Sequence, residues 1–338
     1  MATALTETAL TEAAAPHRTR PPKSPQEHLS DPVTRDVLRV QHRMLMAIRA
    51  HLDEAGFVEL RAPIIGPVTD PGVRGAKQVD IDYYGRRYKL MTSAILYKQA
   101  SLHAFDKIFC IAPNVRLEPP ETADTGRHLA EFHQIDVEAA GHDREDIMRV
   151  AQGIVVTAVR EVAATMGEEL ARLGRDTSSF QDVLAGPFDV MSHADAVARV
   201  DGDPHAEIAW SDEARLSRQS TRPFFVTDYP KGSRGFYDRE SRENPGVLRN
   251  FDLLLPEGYG EIASGSEREH EYQRIVTRMR ETGENPAKYG WYLDMARAGI
   301  PASAGFGIGL ERLTRYVTGV ESVWQASAYP KLPGIYSA

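Results

Sequence analysis

The chain has 338 residues, of which 42% are hydrophobic, so it is long and apolar enough to bury a core of domain size. Its formal net charge of -8 lacks the basic excess that neutralises phosphates, and we therefore expect no nucleic-acid partner. A single cysteine excludes an internal disulfide and fits a reducing cytoplasm, and no apolar run of about 18 residues predicts a membrane span.

The N-terminal part of the chain predicts a tail followed by a helix. Residues 1–27 are rich in Ala, Thr, Glu and Pro and lack the apolar core of a secretory signal, which predicts a disordered tail. Apolar residues recur at helical spacing from about Asp36 to Ala55, and Gly56 is placed to stop that helix. A short strand follows at Phe57–Leu60, closed by Pro63.

Further elements follow in a strand-rich order. They are a turn at Asp70-Pro71-Gly72 with a hairpin after it, an apolar strand at Lys107–Pro113 around Cys110, a helix at Arg144–Met166, helices and loops over residues 170–221, strands at Phe224–Thr227 and Leu248–Leu254, and a helix at Glu267–Glu281. Strands joined by hairpins with helices outside them predict an α+β domain over residues 28–338, built on an antiparallel sheet with residues 170–221 as an insertion.

The stretch from Arg116 to Glu138 contains two alternating runs around a polar loop. Alternation places five side chains on one face of a hairpin: Arg116, Glu118, Phe132, Gln134 and Asp136. An arginine there can hold phosphate oxygens, a ring can stack on a base, and a carboxylate can accept from an amino group. The same pattern also fits a solvated ribbon with surface ion pairs, and the residues alone do not choose between the two.

Glycines alternate at Gly305, Gly307 and Gly309 just before a last helix that carries Glu311 and Arg312. Three glycines in a strand indicate close approach of a ligand or of another backbone, and tight packing is the simpler explanation. The spacing differs from that of the dinucleotide-binding fingerprint.

These two segments resemble motifs 2 and 3 of class II aminoacyl-tRNA synthetases, and the helix ending near Gly56 with Pro63 resembles motif 1. The subclass resembled is that of the aspartyl- and asparaginyl-tRNA synthetases, from about Asp31 to Gly334. The resemblance implies an antiparallel sheet flanked by helices, a homodimer through motif 1, and ATP bound over the sheet.

The resemblance also assigns residues to the nucleotide. Arg116 would bind the α-phosphate and Glu118 the adenine amino group, with Arg116 and Arg312 as the catalytic residues. Phe132 and Arg312 would sandwich adenine. His128 would reach the terminal phosphates, and Arg127 and Gly309 belong to the same ATP site.

Three residues are the predicted magnesium ligands by the same resemblance: Asp252, Glu261 and Ser264. Carboxylate oxygens suit this hard cation when substrate phosphates complete its shell. Without the resemblance, the two acids would be read as ordinary surface carboxylates.

The substrate end is assigned in the same way. Lys98 and Arg268 resemble the two cations that grip a substrate carboxylate, and Asp136 resembles the aspartate that orders them. Two cations and one anion favour a dicarboxylate such as aspartate over an amide, because an amide offers no charge to offset burying both cations. The remaining predicted substrate contacts are Asp70 for an ammonium group, Ser93 and Gln134.

The sequence departs from the subclass at several places. Ile95 and Ser303 stand where polar glutamine and titratable histidine are usual, and only about 30 residues precede the core, too few for an anticodon-binding barrel. Among stand-alone relatives, the segments Thr69–Gly72 and Ser93–Gln99 look most similar to those of archaeal-type asparagine synthetase A related proteins. That similarity implies aspartate adenylation with ATP and Mg²⁺, amidation by ammonia, and no tRNA. The alternatives are a ligase for another acid or amine, a non-catalytic regulatory paralogue, and a tRNA aminoacylator that relies on a separate partner, which the acidic charge disfavours.

Overall fold

The computed structural model describes residues 24–71 and 75–336. In chain order its helices and strands are α1 (Pro25–Ser30), α2 (Pro32–Glu54), β1 (Val58–Glu59), β2 (Ile65–Gly66), β3 (Asp80–Tyr83), β4 (Arg86–Leu90), α3 (Ile95–Ser101), β5 (Lys107–Val115), β6 (Glu131–Ala140), α4 (Arg144–Thr165), α5 (Gly167–Arg172), α6 (Phe180–Leu184), β7 (Asp189–Ser192), α7 (His193–Val200), α8 (Trp210–Arg218), β8 (Phe224–Thr227), β9 (Asn250–Leu255), β10 (Gly260–Glu267), α9 (Tyr272–Glu281), α10 (Gly290–Ala298), β11 (Ser303–Gly309) and α11 (Leu310–Thr318).

Most of the predicted tail, residues 1–23, lies outside the described residues, as does Gly72 of the predicted turn. Within the described part, the chain is already helical at Pro25, where the Ser24 side chain caps α1. The predicted boundary at residue 28 therefore falls inside a helix.

Among the described residues, the large sheet has eight strands in the order β1-β5-β6-β11-β10-β9-β8-β7. Neighbours from β5 to β8 pair antiparallel, whereas β1 with β5 and β7 with β8 pair parallel. The predicted α+β sheet is confirmed, with the correction that it is mixed at both edges. Long connections separate each parallel pair, because parallel neighbours need a crossover in place of a tight turn. A smaller sheet has the order β2-β4-β3.

Helices α2 and α4 cover one face of this sheet. Asp31 accepts from the Val33 N–H at the start of α2, and Asp143 caps α4 through a reciprocal box with Asp146. The apolar stripe of α2, including Met44 and Leu52, is fully buried in the same core as the apolar face of α4. Both predicted helices are therefore confirmed within a few residues of their predicted ends.

Residues 170–221 do more than cover the sheet. They contain the predicted helices, but also strand β7, which joins the large sheet beside β8. Helices α7 and α8 pack around Val197 and Leu216 in a small separate core. The helix predicted from Glu267 begins at Tyr272, because Glu267 is the last residue of β10 and pairs with Ala304 of β11.

No helix in residues 24–71 or 75–336 combines the length and the apolar character needed to cross a bilayer.

Candidate active site

A cavity lies over the central strands of the large sheet, between the β5–β6 hairpin and strands β10 and β11. Every predicted site residue except Asp252 lines it. The register explains this convergence, because Gly307 of β11 pairs with Asp136 on one side and with Ser264 on the other. The cavity therefore brings the residues together, while the role of each residue stays a prediction.

The alternating glycines of β11 make room for side chains of β6. A Cβ on Gly307 would come within 2.7 Å of Gln134 Nε2 and 2.8 Å of Asp136 Oδ1. A Cβ on Gly305 would overlap the Glu138 carboxylate. These two glycines thus allow polar side chains to pack closely beneath the cavity. Tight packing, one of the two explanations that the sequence offers, is therefore what the structure has at these positions.

One end of the cavity carries the predicted nucleotide residues. The Arg116 guanidinium lies 5.1 Å from the centre of the Phe132 ring, and its Nε donates to the Thr92 carbonyl at 3.0 Å. Arg312 pairs with Glu261, with 2.8 Å between Nη1 and Oε2. In this arrangement Arg116 lies over the Phe132 ring, and the adenine sandwich between Phe132 and Arg312 stays a prediction.

Helix α8 closes over the predicted triphosphate residues. Arg127 Nη1 lies 2.9 Å from Glu213 Oε2, and the His128 ring lies 4.3 Å from the Trp210 ring. Burial, with nearby Arg312 and Arg127, lowers the pKa of His128 to about 2, so this imidazole is neutral. The sequence analysis did not identify Trp210 and Glu213 as site residues, because no segment of residues 170–221 resembles the three motifs.

The predicted magnesium ligands differ in position: Glu261 and Ser264 line the cavity, and Asp252 does not. The Asp252 carboxylate is 1% exposed and receives two hydrogen bonds from Arg234, at 3.1 Å from Nη1 and 2.6 Å from Nη2. Arg234 also pairs with Glu207 at 2.5 Å and reaches Ser264 Oγ at 3.3 Å. Asp252 is thus a counter-ion for Arg234 and, unlike the other predicted site residues, does not line the cavity; its role as a metal ligand stays a prediction.

Glu261 fits a magnesium ion better than Asp252 does. Its carboxylate lines the cavity beside Ser264, and Ser264 Oγ donates to Glu261 Oε1 at 3.4 Å. Within the described residues, no cluster of three His, Cys, Asp or Glu side chains is arranged to hold a metal ion. One carboxylate together with substrate phosphates is, however, an ordinary magnesium environment in nucleotide-binding proteins.

The opposite end of the cavity carries the predicted substrate residues. Lys98 is 3% exposed, and its Nζ donates to Asp136 Oδ1 at 2.7 Å and to the Phe306 carbonyl at 2.9 Å. The second carboxylate oxygen, Asp136 Oδ2, is buried and has no hydrogen-bond donor among the described residues. A buried acceptor without a donor is costly, so this oxygen is suited to a donor that a ligand brings.

Arg268 is already paired within the protein. Its Nε donates to Glu138 Oε1 at 3.0 Å, its Nη2 donates to Glu138 Oε2 at 3.2 Å, and its Nη1 donates to Ser266 Oγ at 2.7 Å. Ser303 donates to the same Glu138 carboxylate at 3.0 Å. Glu138 was missed although it continues the alternation of Gln134 and Asp136, a signal that could have identified it.

Asp238 was also missed. Its Oδ1 accepts from Ser266 Oγ at 2.5 Å and lies 3.6 Å from Arg268 Nη1, and burial raises the pKa of its carboxyl group. No sequence motif marks it, since it follows a loop of no regular pattern.

The remaining predicted substrate residues are held by local contacts. Asp70 Oδ1 accepts from the Tyr237 hydroxyl at 2.9 Å, Ser93 Oγ accepts from the Ile95 N–H at 3.2 Å, and Gln134 Oε1 accepts from Asn114 Nδ2 at 2.8 Å. Three carboxyl groups lie beside the two cations, namely Asp136, Glu138 and Asp238, and Asp70 lines the same cavity. The prediction of a dicarboxylate counted only one anion, so its electrostatic basis does not hold.

Comparisons with known proteins agree with this geometry. The family model for tRNA synthetases class II (D, K and N) matches residues 23–333. The asparagine–tRNA ligase of Pyrococcus abyssi is 33% identical over 312 residues, covering 90% of this chain and 70% of the relative. That of Thermococcus kodakarensis is 34% identical over 312 residues, covering 90% of this chain and 71% of the relative.

A solved structure is similar throughout the domain. The asparaginyl-tRNA synthetase from Pyrococcus horikoshii, complexed with asparaginyl-adenylate, superposes with a TM-score of 0.88 at 30% identity. The match covers 93% of this chain and 72% of that chain. The asparaginyl-tRNA synthetase from Entamoeba histolytica, at 24% identity and a TM-score of 0.79, shares the fold.

The expectation of no tRNA or other nucleic-acid partner is wrong, because the relatives are by name ligases of tRNA. Net charge sums over the whole surface, so it does not report whether a local patch of cations can contact phosphates. The assignment to asparagine synthetase A related proteins is not supported by these relatives, and the homodimer stays a prediction. The chain belongs to the class II tRNA synthetases of the D, K and N family, which use ATP and Mg²⁺ to form an aminoacyl-adenylate.

Proposed function

We propose that this protein activates asparagine with ATP and transfers the asparaginyl group to tRNA. One observation carries the choice of amino acid. Asp136 Oδ2 is a buried acceptor to which no residue of the described part of the chain donates, and the same carboxylate accepts from Lys98 through Oδ1 at 2.7 Å. The names of the relatives support the choice of acceptor.

The Lys98–Asp136 pair can offer one donor and one acceptor to the same substrate group, since the third N–H of Lys98 makes only a long contact of 3.4 Å with the Val137 carbonyl. A carboxamide satisfies both, because its oxygen accepts from the Lys98 ammonium while its N–H donates to Asp136 Oδ2. A carboxylate has no donor, so aspartate would place a second negative oxygen against Asp136 in a buried site. Asparagine therefore matches this end of the cavity better than aspartate.

The nucleotide end supplies positive charge for the first step. An oxygen of the substrate α-carboxylate attacks the α-phosphorus, a new oxygen–phosphorus bond forms, and the bond to pyrophosphate breaks. Arg116 and Arg312 lie at the cavity as fixed cations that can stabilise the charge developing on the phosphate. Magnesium bound by Glu261 and the phosphates would neutralise further phosphate charge.

The acyl-adenylate then reacts with an acceptor. A ribose hydroxyl at the end of tRNA attacks the acyl carbonyl carbon, the bond to phosphate breaks, and AMP leaves with release of one proton. Lys98 and Asp136 would hold the side-chain amide away from the attacked carbonyl during this step.

A second candidate is aspartate activation followed by amidation with ammonia. Ile95 favours it, because an apolar side chain lines the cavity where the synthetase subclass has a polar contact. An aspartate bound in the reverse direction would place its ammonium group at Asp136 Oδ2 and its α-carboxylate at Lys98. The β-carboxylate would then be activated, and ammonia would displace AMP to give asparagine.

Two measurements separate these candidates. Pyrophosphate exchange with asparagine and with aspartate measures which amino acid forms the adenylate. AMP release is then followed with tRNA alone and with ammonium alone, and free asparagine is assayed as a product. Asparagine-dependent exchange with tRNA-dependent AMP release supports the proposal, whereas aspartate-dependent exchange with ammonium-dependent asparagine establishes the second candidate. Exchange with neither amino acid refutes both.

A further inference from the structure

Asp238 lies at the substrate end of the cavity, on a loop that no sequence motif marks. It pairs with Arg268 in an isolated antiparallel bridge that attaches the loop to the end of β10. Its side chain is 5% exposed and still lines the cavity, with Oδ1 2.5 Å from Ser266 Oγ. A buried carboxylate therefore faces the substrate beside the cation that was expected to bind a substrate carboxylate.

The donors of Arg268 are largely used by the protein. Glu138 takes the Nε and Nη2 side of the guanidinium, and Ser266 takes Nη1 at 2.7 Å. Asp238 Oδ1 then lies 3.6 Å from Nη1. Of the five N–H donors, two remain, one on Nη1 and one on Nη2, but the charge of the guanidinium is already matched by Glu138. A substrate carboxylate therefore competes with carboxylates of the protein for this cation.

We infer that Asp238 is a specificity-determining residue that excludes aspartate from this site and leaves asparagine as the substrate. This inference rests on the proposed function. Asp238 adds a negative charge near Arg268, so an incoming carboxylate meets repulsion where the cation alone would attract it. A neutral carboxamide lacks that charge and is accepted, so Asp238 discriminates by repelling the wrong substrate.

The other groups around Asp238 leave this repulsion in place. Tyr237 precedes it in the chain and uses its hydroxyl to donate to Asp70. The Arg234 guanidinium is engaged by Asp252 and Glu207. Lys98 is paired with Asp136, so the nearby cations are each matched by a carboxylate of their own.

The test compares the wild-type enzyme with Asp238→Asn, an isosteric change that removes the charge. Pyrophosphate exchange is measured at saturating ATP, and kcat/KM is determined for asparagine and for aspartate on the same enzyme sample. We expect the aspartate-to-asparagine ratio of kcat/KM to rise about tenfold or more, mainly through a lower KM for aspartate. The ratio does not depend on the fraction of active enzyme.

Asp294→Asn is the matched control, because Asp294 is an exposed carboxylate on α10 paired with Arg297. The aspartate-to-asparagine ratio of kcat/KM for Asp294→Asn should equal that of the wild type. If Asp238→Asn does not fold, Asp238→Ser removes the same charge in a smaller side chain. Calorimetric binding of non-hydrolysable asparaginyl- and aspartyl-adenylate analogues then gives the same ratio without turnover.

The outcomes separate the inference from the proposed function. A wild type that activates asparagine, with a ratio unchanged in Asp238→Asn, overturns the inference alone and leaves asparagine activation standing. An equal loss for both substrates assigns Asp238 a purely structural role and also overturns it. A wild type that prefers aspartate contradicts the proposed function itself, and the inference falls with it.

Discussion

Arg116 is held by contacts that do not neutralise its charge, namely the Thr92 carbonyl and the face of the Phe132 ring. Its guanidinium therefore enters the cavity ready to bind an anion. Arg312, Arg127 and Arg234 differ, since each is paired with a protein carboxylate. Among these arginines, Arg116 is the best placed to respond to a phosphate.

Substitution Arg116→Ala should lower kcat/KM for pyrophosphate exchange by about 100- to 1,000-fold, because a fixed positive charge at the developing phosphate charge is lost. Thermal melting of the variant should remain close to that of the wild type, since the lost contacts are one hydrogen bond and one ring contact. Exchange activity near the wild-type level would show that Arg116 does not bind the reacting phosphate.

The neutral His128 predicts how stability depends on pH. Burial and nearby arginines lower its pKa from 6.5 to about 2, so below pH 6.5 the unfolded chain binds a proton at this residue that the folded protein does not. Stability should therefore fall as the pH drops from 6.5 towards 4, by at most about 1.4 kcal/mol per pH unit from this residue.

Urea unfolding of the wild type and of His128→Asn at several pH values isolates this contribution. As the pH falls, the free energy of unfolding of the wild type should decrease relative to that of His128→Asn. A difference that stays constant from pH 7 to pH 4 would mean that His128 titrates normally in the folded protein.

The two predicted magnesium carboxylates should respond differently to neutralisation. Glu261→Gln should raise the magnesium concentration needed for half-maximal exchange, because a ligand facing the phosphates is lost. Asp252→Asn should instead destabilise the fold, by about 1–3 kcal/mol, because the buried Arg234 loses one of its two counter-ions and keeps Glu207. Titration of magnesium in exchange assays, with urea unfolding in parallel, measures both; the reverse pattern would support Asp252 as a metal ligand.

At the scale of elements, the spacing of apolar residues in α2 determines which of its side chains enter the core. Leu52 is 0% exposed and packs in the core beneath the large sheet, whereas Met46 on the same helix is 49% exposed. The sequence spacing of α2 predicts this difference, because residues on one side of a helix recur every three or four positions.

Leu52→Ala should reduce the free energy of unfolding by about 2–5 kcal/mol, as expected when a buried leucine leaves a cavity. Met46→Ala, the control, should change it by about 0.5 kcal/mol or less. Urea denaturation measures both, and equal effects would mean that α2 packs with a different face than the structure has.

Strand β6 illustrates which contacts the sequence can predict and which it cannot. Its alternation correctly predicts that Phe132, Gln134 and Asp136 face one cavity. The same alternation extends to Glu138, whose pairing with Arg268 depends on a strand 130 residues later in the chain. No local pattern encodes that pairing, because it is created by the order of strands in the sheet.

At the scale of the whole molecule, the net charge of -8 misled the prediction about nucleic acid. Binding of tRNA depends on local cations, so filter binding should detect it at about 50 mM salt and show it weakened substantially at about 200 mM. Absence of tRNA binding at the lower salt concentration would refute the proposed acceptor while leaving adenylate formation intact.

Local periodicity and motifs within short segments were enough to identify the family, the helices α2 and α4, and most of the residues that line the cavity, although not Trp210 and Asp238. Only the tertiary structure decided which charges neutralise one another. Arg234 on Asp252, and Glu138 and Asp238 around Arg268, are contacts between distant segments. Electrostatic interaction depends on distance in space and on burial, so these contacts, and the substrate preference that we propose from them, appear only once the chain is folded.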